Sequence, residues 1–244
     1  MKKLLAIAAT ALILPLSSQA ASLDQEQQQQ VKELVREALL ENPEIFIEVV
    51  NELKKREEAT RVKAQSSTLA SSQAELFENS NDPFSGAIKP KLSIVYFGDV
   101  NCGFCKQQDP VLEALVKAYP EIRIIYKDLP ILGPSSREAA AISLAAKAKS
   151  NESYLSLHKQ LITHPARHDS DSIASIVKAQ GLNLEELKKA IDDDINQQLD
   201  RNIMLAQSLG ITGTPALVFP DEVVGGFTNE DELKKMIEKR LKRK

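Results

Sequence analysis

Phe97-Gly-Asp-Val-Asn-Cys-Gly-Phe-Cys-Lys106 decides how this chain is read. Leu92, Ile94, Val95, Tyr96 and Phe97 precede the cysteines as a short β-branched and aromatic run after Lys89-Pro90-Lys91, the pattern of a buried strand. Val111, Leu112, Leu115, Val116 and Ala118 follow at helical spacing until Pro120, which puts Cys102 at the first turn of a helix. Unpaired backbone N–H groups and the positive end of the helix dipole stabilise a thiolate there, so Cys102 is the expected nucleophile near neutral pH. Cys105, one turn further in, is close enough to close a small disulfide with it and to resolve a mixed disulfide. The same pair could hold a metal or form an inert structural disulfide. Structural zinc usually takes four ligands, however, and no second CxxC or Cys/His pair lies nearby, so redox use is favoured and no metal ligands are assigned.

Outside this stretch the chain has no cysteine. It opens with Met1-Lys2-Lys3, an apolar run from Leu4 to Leu16 and Ser18-Gln19-Ala20, which reads as a secretory signal cleaved after Ala20. The run is too short for a permanent membrane span. The expected mature protein, residues 21–244, is exported to a compartment where disulfides persist. Loss of Lys2 and Lys3 takes the formal net charge from −3 to −5. A mildly acidic exported protein has little to attract a polyanion, so nucleic acid is not an expected partner. The basic tail Lys239-Arg-Leu-Lys-Arg-Lys244 reads as a solvated final helical turn.

Residues 21–75 differ in composition from the rest, with a glutamine run at Gln27–Gln30, dense charge and no glycine. Val31, Leu34, Val35, Ala38 and Leu39 form one apolar helical stripe. Asn42-Pro43-Glu44 is expected to end that helix and start another, with Asn42 as N-cap, carrying Ile45, Phe46, Val49, Val50 and Leu53. Two short amphipathic helices cannot enclose a core of their own, so their apolar faces need a partner surface, and the polar stretch Lys54–Ser72 reads as a spacer. From Leu76 onward strands and helices alternate. Leu76-Phe77 is a possible first strand, Leu92–Phe97 and Ile122–Tyr126 the next two, and a helical block at about 135–195 precedes two short strands around Pro220-Asp221 and a final helix at Asp231–Leu241. His164 and His168 read as loop surface residues because Pro165 separates them, and His158 as a packing or surface residue.

A strand ending at Cys-x-x-Cys, a βα repeat, a helical insertion and Gly-Thr-Pro before a hairpin resemble a thioredoxin-fold protein of the DsbA class over residues 76–244. Leu129-Pro-Ile-Leu-Gly-Pro134, Leu209-Gly-Ile-Thr-Gly-Thr-Pro215 and Glu41-Asn-Pro-Glu44 resemble the exported DsbA-like proteins with a helical N-terminal extension, the ScsC (suppressor of copper sensitivity protein C) group among them. The fold this implies is α/β, a thioredoxin fold with a helical insertion, preceded by an α-helical oligomerisation segment. The resemblance makes Cys102 the nucleophile, Cys105 the resolving thiol, Pro215 the cis-proline and Thr214 the residue whose backbone pairs with a substrate peptide. Two departures stand out. Gly103-Phe104 between the cysteines lacks a histidine and is closer to the Gly-Tyr pair of disulfide isomerases. Tyr96 also stands where thioredoxin and DsbA carry a buried carboxylate, six residues before the first cysteine.

The expected function is therefore a periplasmic thiol-disulfide oxidoreductase, an isomerase or reductase of exported cysteine-containing proteins. It would need no cofactor beyond its own Cys102–Cys105 disulfide. It would work as a dimer or trimer with a membrane thiol reductant or oxidant of the DsbD/ScsB or DsbB type. A DsbA-type oxidase and a copper(I)-handling protein that binds the soft ion through two thiolates are the alternatives.

Overall fold

The structure, a computed structural model, describes residues 23–242. The expected signal sequence lies outside the described residues. The chain divides into two compact units, one ending at Glu58 and the other starting at Ala59.

In the first unit, helix α1 (Gln25–Glu41) begins at a capping box in which Asp24 and Gln27 satisfy each other's backbone amides. Asn42 closes α1, donating both its backbone amide and its side-chain amide to the Ala38 carbonyl. Its side chain thus serves the helix before Pro43 and not the one after, contrary to the expected N-cap. Helix α2 (Glu44–Ser71) then runs 28 residues without a break, so the stretch expected as a spacer is helical. It contains neither glycine nor proline, and Glu52 pairs with Arg56 one turn on at 2.8 Å. No residue of α1 is buried, and Leu34, Leu40, Phe46 and Ile47 are each more than 60% exposed.

Residues 59–75, expected with the N-terminal segment, belong to the second unit. Leu69 is buried there, and Gln65 donates to the Leu209 carbonyl at 2.7 Å. Leu76-Phe77 is the end of helix α3 (Gln73–Phe77) and not a strand: Leu76 donates to Ser72 and Glu78 to Ala74 in helical register. The first strand comes after Pro83. Strands β1 (Phe84–Gly86), β2 (Leu92–Gly98), β3 (Ile122–Asp128), β4 (Ala216–Phe219) and β5 (Glu222–Gly225) form one sheet in the order β1-β3-β2-β4-β5. Only β2 and β3 are parallel, with Leu92 opposite Ile122 and Gly98 opposite Asp128. Their connection is helix α4 (Gly103–Ala118), and helices α5 (Pro134–Lys149), α6 (Asn151–Thr163), α7 (Ser170–Ala179), α8 (Leu184–Ala190) and α9 (Asp193–Ser208) fill the interval between β3 and β4. Helix α10 (Glu230–Leu241) closes the chain.

Both faces of the sheet are covered. Ile94 and Tyr96 of β2 pack with Ile124 and Tyr126 of β3 against α4, α5, α6 and α10. Val95 and Phe97 face the other way, onto Leu69, Leu76, Leu205 and Leu209. A strand buried on both sides has no polar face to alternate with, which is why 92–97 reads as an almost unbroken apolar run. One charge is buried with its partner: Lys127 Nζ lies 2.5 Å from Asp82 Oδ2, and Gln198 donates to the other oxygen at 3.0 Å. Burial raises the Asp82 carboxyl above its usual range, with Lys127 opposing.

Candidate active site

Strand β2 runs out at Gly98, and the four residues to Cys102 are fixed from several sides. The Cys102 amide donates to the Asp99 carbonyl at 2.9 Å, which turns the chain into α4 with Cys102 as N-cap. The Asp99 side chain is buried and fully used: it accepts from the Asn101 amide at 2.8 Å, the Ser136 hydroxyl at 2.8 Å and the Leu132 amide at 3.1 Å. Asn101 donates to Ser136 at 2.9 Å and accepts from the His168 amide at 2.7 Å. These bonds tie the cysteine turn to the β3–α5 loop and to the start of α7. Asp99, Asn101 and Ser136 have no place in the motif reading, and the one signal for them was that two polar residues flank Val100 directly before Cys102.

The two cysteines are free thiols in unequal settings. Cys102 is at the edge of the surface, 8% exposed, and its sulfur lies 3.1 Å from the Thr214 carbonyl oxygen. Cys105 is completely buried. Burial pushes the Cys105 thiol up to about 12, against the Asp99 backbone and the Tyr96 hydroxyl, which favour its thiolate. A thiol at that value holds its proton at neutral pH, so of the pair only Cys102 has both access and a route to attack. Lys106, one turn from Cys102, donates to the carbonyls of His164 (2.5 Å) and Ala166 (2.9 Å) and holds the α6–α7 loop against the cysteine helix. Burial lowers Lys106 and the nearby Cys102 sulfur opposes that.

The structure brings all the expected site residues together except for one difference of degree: Gly103 and Phe104 are on the rim and not within the site. Phe104 is 60% exposed beside the thiol. The Thr214–Pro215 peptide is cis, and Pro215 accepts from the Gly226 amide at 2.8 Å. A groove of about 410 Å³ runs along Thr212–Pro215 and is walled by Gln65, Arg61 and Val223. One histidine departs from expectation, while His158 takes the packing role expected of it. His168 sits in a loop but is buried, with Nε2 2.8 Å from the Leu161 carbonyl and its ring stacked on His164 at 4.7 Å. Burial lowers its pKa. His158 is buried behind α4, 2.9 Å from Asp109, in a cluster with Tyr126 and Tyr154. Among the described residues no three His, Cys, Asp or Glu side chains converge as metal ligands.

Comparison with known proteins agrees with this geometry. The DSBA-like thioredoxin domain matches residues 93–238, and the copper resistance protein ScsC N-terminal domain matches residues 27–60. A linker-deletion variant of ScsC from Proteus mirabilis is 32% identical, with a TM-score of 0.72 over 93% of this chain and 100% of that one. A periplasmic thioredoxin-like protein from Salmonella enterica serovar Typhimurium is 35% identical, with a TM-score of 0.65 over 69% of this chain and 95% of that one. Disulfide bond formation protein D of Bacillus subtilis is 24% identical over 66% of this chain and 78% of its own length. Among the described residues no helix is long and apolar enough to cross a membrane. With a reachable thiol at the head of α4, a buried one a turn behind it and a cis-proline facing both, the chain belongs to the DsbA-like thioredoxin family and is a thiol-disulfide oxidoreductase of the DsbA/ScsC type.

Proposed function

We propose that this oxidoreductase is a periplasmic disulfide isomerase and reductase that acts on exported cysteine-containing proteins. The observation that carries the assignment of roles is the asymmetry of the dithiol: Cys102 is reachable and 3.1 Å from the Thr214 carbonyl, while Cys105 is sealed. The Cys102 thiolate attacks one sulfur of a wrong substrate disulfide, forming a mixed disulfide and releasing the other substrate sulfur as a thiolate. Isomerisation follows when a substrate thiolate attacks the mixed disulfide and regenerates Cys102. Reduction follows when the Cys105 sulfur attacks the Cys102 sulfur of the mixed disulfide, which releases the substrate sulfur as a thiolate and leaves a Cys102–Cys105 disulfide that a membrane thiol reductant of the DsbD/ScsB type then reopens. The Thr214 backbone beside Pro215 offers an edge for an extended substrate chain, and Gly103-Phe104 sets the balance between dithiol and disulfide.

The N-terminal unit supports the isomerase direction. An α1 with no buried residue and a row of exposed Leu, Ile, Phe and Val side chains through Leu53 is a surface in need of a partner, which a second or third copy of this chain supplies. Several dithiols around one substrate favour reshuffling over a single encounter. The copper(I) alternative has less support. A two-sulfur site needs both thiolates, and Cys105 is sealed with its thiol pushed up to about 12.

The test compares the mature chain with a form lacking residues 21–58. Light scattering should give a dimer or trimer for the first and a monomer for the second. Both should reduce insulin, and only the first should refold a scrambled multi-disulfide protein efficiently. Equal refolding by the two forms would remove the isomerase reading, and preferential oxidation of reduced substrate by the mature chain would favour a DsbA-type oxidase.

A further inference from the structure

The buried wall behind the dithiol carries a group that the motif does not account for. Tyr96 is 1% exposed, and its hydroxyl is one of two buried side-chain polar atoms without a hydrogen-bond partner among the described residues. The other is His158 Nδ1, and the two belong to one aromatic row: Tyr96 meets Tyr126 edge-on at 5.9 Å, and Tyr126 meets His158 at 5.0 Å. A buried hydroxyl without a partner is rare in folded proteins and calls for an explanation, a redox or catalytic role among them. Its position is also built. The ring folds back over Gly98, where a Cβ would stand 2.8 Å from the hydroxyl oxygen, so the space it occupies exists only because residue 98 has no side chain.

We infer that the Tyr96 hydroxyl is a catalytic hydrogen-bond donor to the Cys105 sulfur, engaged while that sulfur carries charge in the resolving step. This rests on the assignment of Cys105 as the resolving thiol. The phenol acts on the thiolate as a stabilising neighbour, and the sulfur in turn raises the phenol. Burial holds Tyr96 well above 10, so it keeps its proton and serves as a donor and not as a base. In the step itself, Cys105 gives up its proton and its sulfur electron pair forms the bond to Cys102. The Cys102–substrate S–S bond breaks with its pair on the substrate sulfur, and that thiolate takes up a proton. Tyr96 donates to Cys105 as the charge develops and is released when the disulfide has formed, which accounts for its lack of a partner around the neutral thiol. A buried carboxylate six residues before the first cysteine, as in thioredoxin and DsbA, would accept the proton; a phenol in the same place stabilises what the proton leaves behind.

The groups facing Cys105 are the Asp99 backbone, the Thr214 side chain and Cys102, and Asp109 and Tyr126 stand behind Tyr96. The test uses the whole mature chain and its Tyr96→Phe variant, which keeps the ring. Oxidised glutathione loads Cys102 as a mixed disulfide, and rapid mixing reads its formation and its resolution separately. Resolution should slow about tenfold in the variant, the scale of a lost hydrogen bond to a charged group, with formation changed less than about twofold. In a Cys102→Ser background the same substitution should move the midpoint for alkylation of Cys105 to higher pH. Thermal stability should not fall, since no native hydrogen bond is removed. Tyr126→Phe, which loses its bond to Ser85 in the same aromatic row, should leave resolution at the parent rate. Resolution in Tyr96→Phe within about twofold of the parent, or an equal loss in Tyr126→Phe, overturns the inference. A parent protein that forms no mixed disulfide would overturn the proposed function itself and the inference with it.

Discussion

Gly98 and Tyr96, two residues apart at the end of β2, share one space: a methyl group on Gly98 would lie 2.7 to 2.8 Å from the phenol ring and its hydroxyl. Both the ring and the strand end are buried, so neither can move aside cheaply. Gly98→Ala should therefore lower stability by about 1–3 kcal/mol, the range for overpacking a closed core. The midpoint of urea unfolding, at unchanged slope, measures this. An unchanged midpoint would mean that the ring moves aside freely.

Cys105 should be silent to alkylating reagents at neutral pH. With the thiol pushed up to about 12, iodoacetamide added to a Cys102→Ser variant should react only as the pH approaches that value. The same displacement makes the reduced protein sensitive to base. The folded value lies above the unfolded one, so the contribution to stability is complete below about pH 9 and is lost as pH rises towards 12, by at most about 4 kcal/mol. Unfolding of reduced protein at pH 8 and pH 10.5, beside a Cys105→Ser variant that lacks the effect, gives the sign and size.

A second pH effect comes from behind α4. Burial pulls His158 down, but Asp109 at 2.9 Å, helped by Asp128, outweighs it and raises the imidazole. A raised histidine stabilises the fold fully below its unfolded value of about 6.5 and loses that contribution as pH rises through the folded value. Asp128, pushed up to about 6 by burial, acts in the same direction at lower pH. Thermal melts should therefore fall between about pH 6 and pH 8, and Asp109→Asn should flatten that slope while lowering stability at pH 6. A wild-type melting temperature that rises over this range would contradict the assignment.

Leu69 and Leu34 should part company although both sit on the N-terminal helices. Leu69→Ala removes a side chain buried against Val95 and Phe97 and should cost about 2–5 kcal/mol in any form of the protein that retains it. Leu34→Asp alters an exposed residue of α1 and should leave the unfolding of the second unit unchanged while reducing the proposed oligomer to single chains. Scattering and denaturation on the two variants separate these outcomes.

The strand–cysteine–helix unit was legible because each part has its own signal: β-branched density, a fixed cysteine spacing and a helical period. The central strands and the cysteine pair stand where those signals place them, whereas the cis bond at Thr214-Pro215 was indicated by the family resemblance and by no local pattern. The first strand was not legible, since Leu76-Phe77 has strand composition while the helical hydrogen bonds from Ser72 onward decide its form. The extent of α2 was missed for a related reason. A helix with charges on most faces carries no apolar period, and only the absence of glycine and proline from 44–71 marks it. The clamp of Asp99, Asn101 and Ser136 joins residues 35 and 37 positions apart, and no local pattern announces such pairings. The partnership of His158 with Asp109 is hidden in the same way.

Because both thiols of this chain lie in one turn at the head of α4, its own maturation has only one intramolecular pairing to find. A newly made chain oxidised before it folds can acquire that disulfide or none, and it never needs the reshuffling proposed for its clients. The loop so closed spans four residues, and on the chain-entropy scale it is worth about 2 kcal/mol, the low end of what a single cross-link contributes. Folding is thereby uncoupled from oxidation, and the dithiol can open and close throughout the protein's lifetime without putting the molecule that carries it at risk.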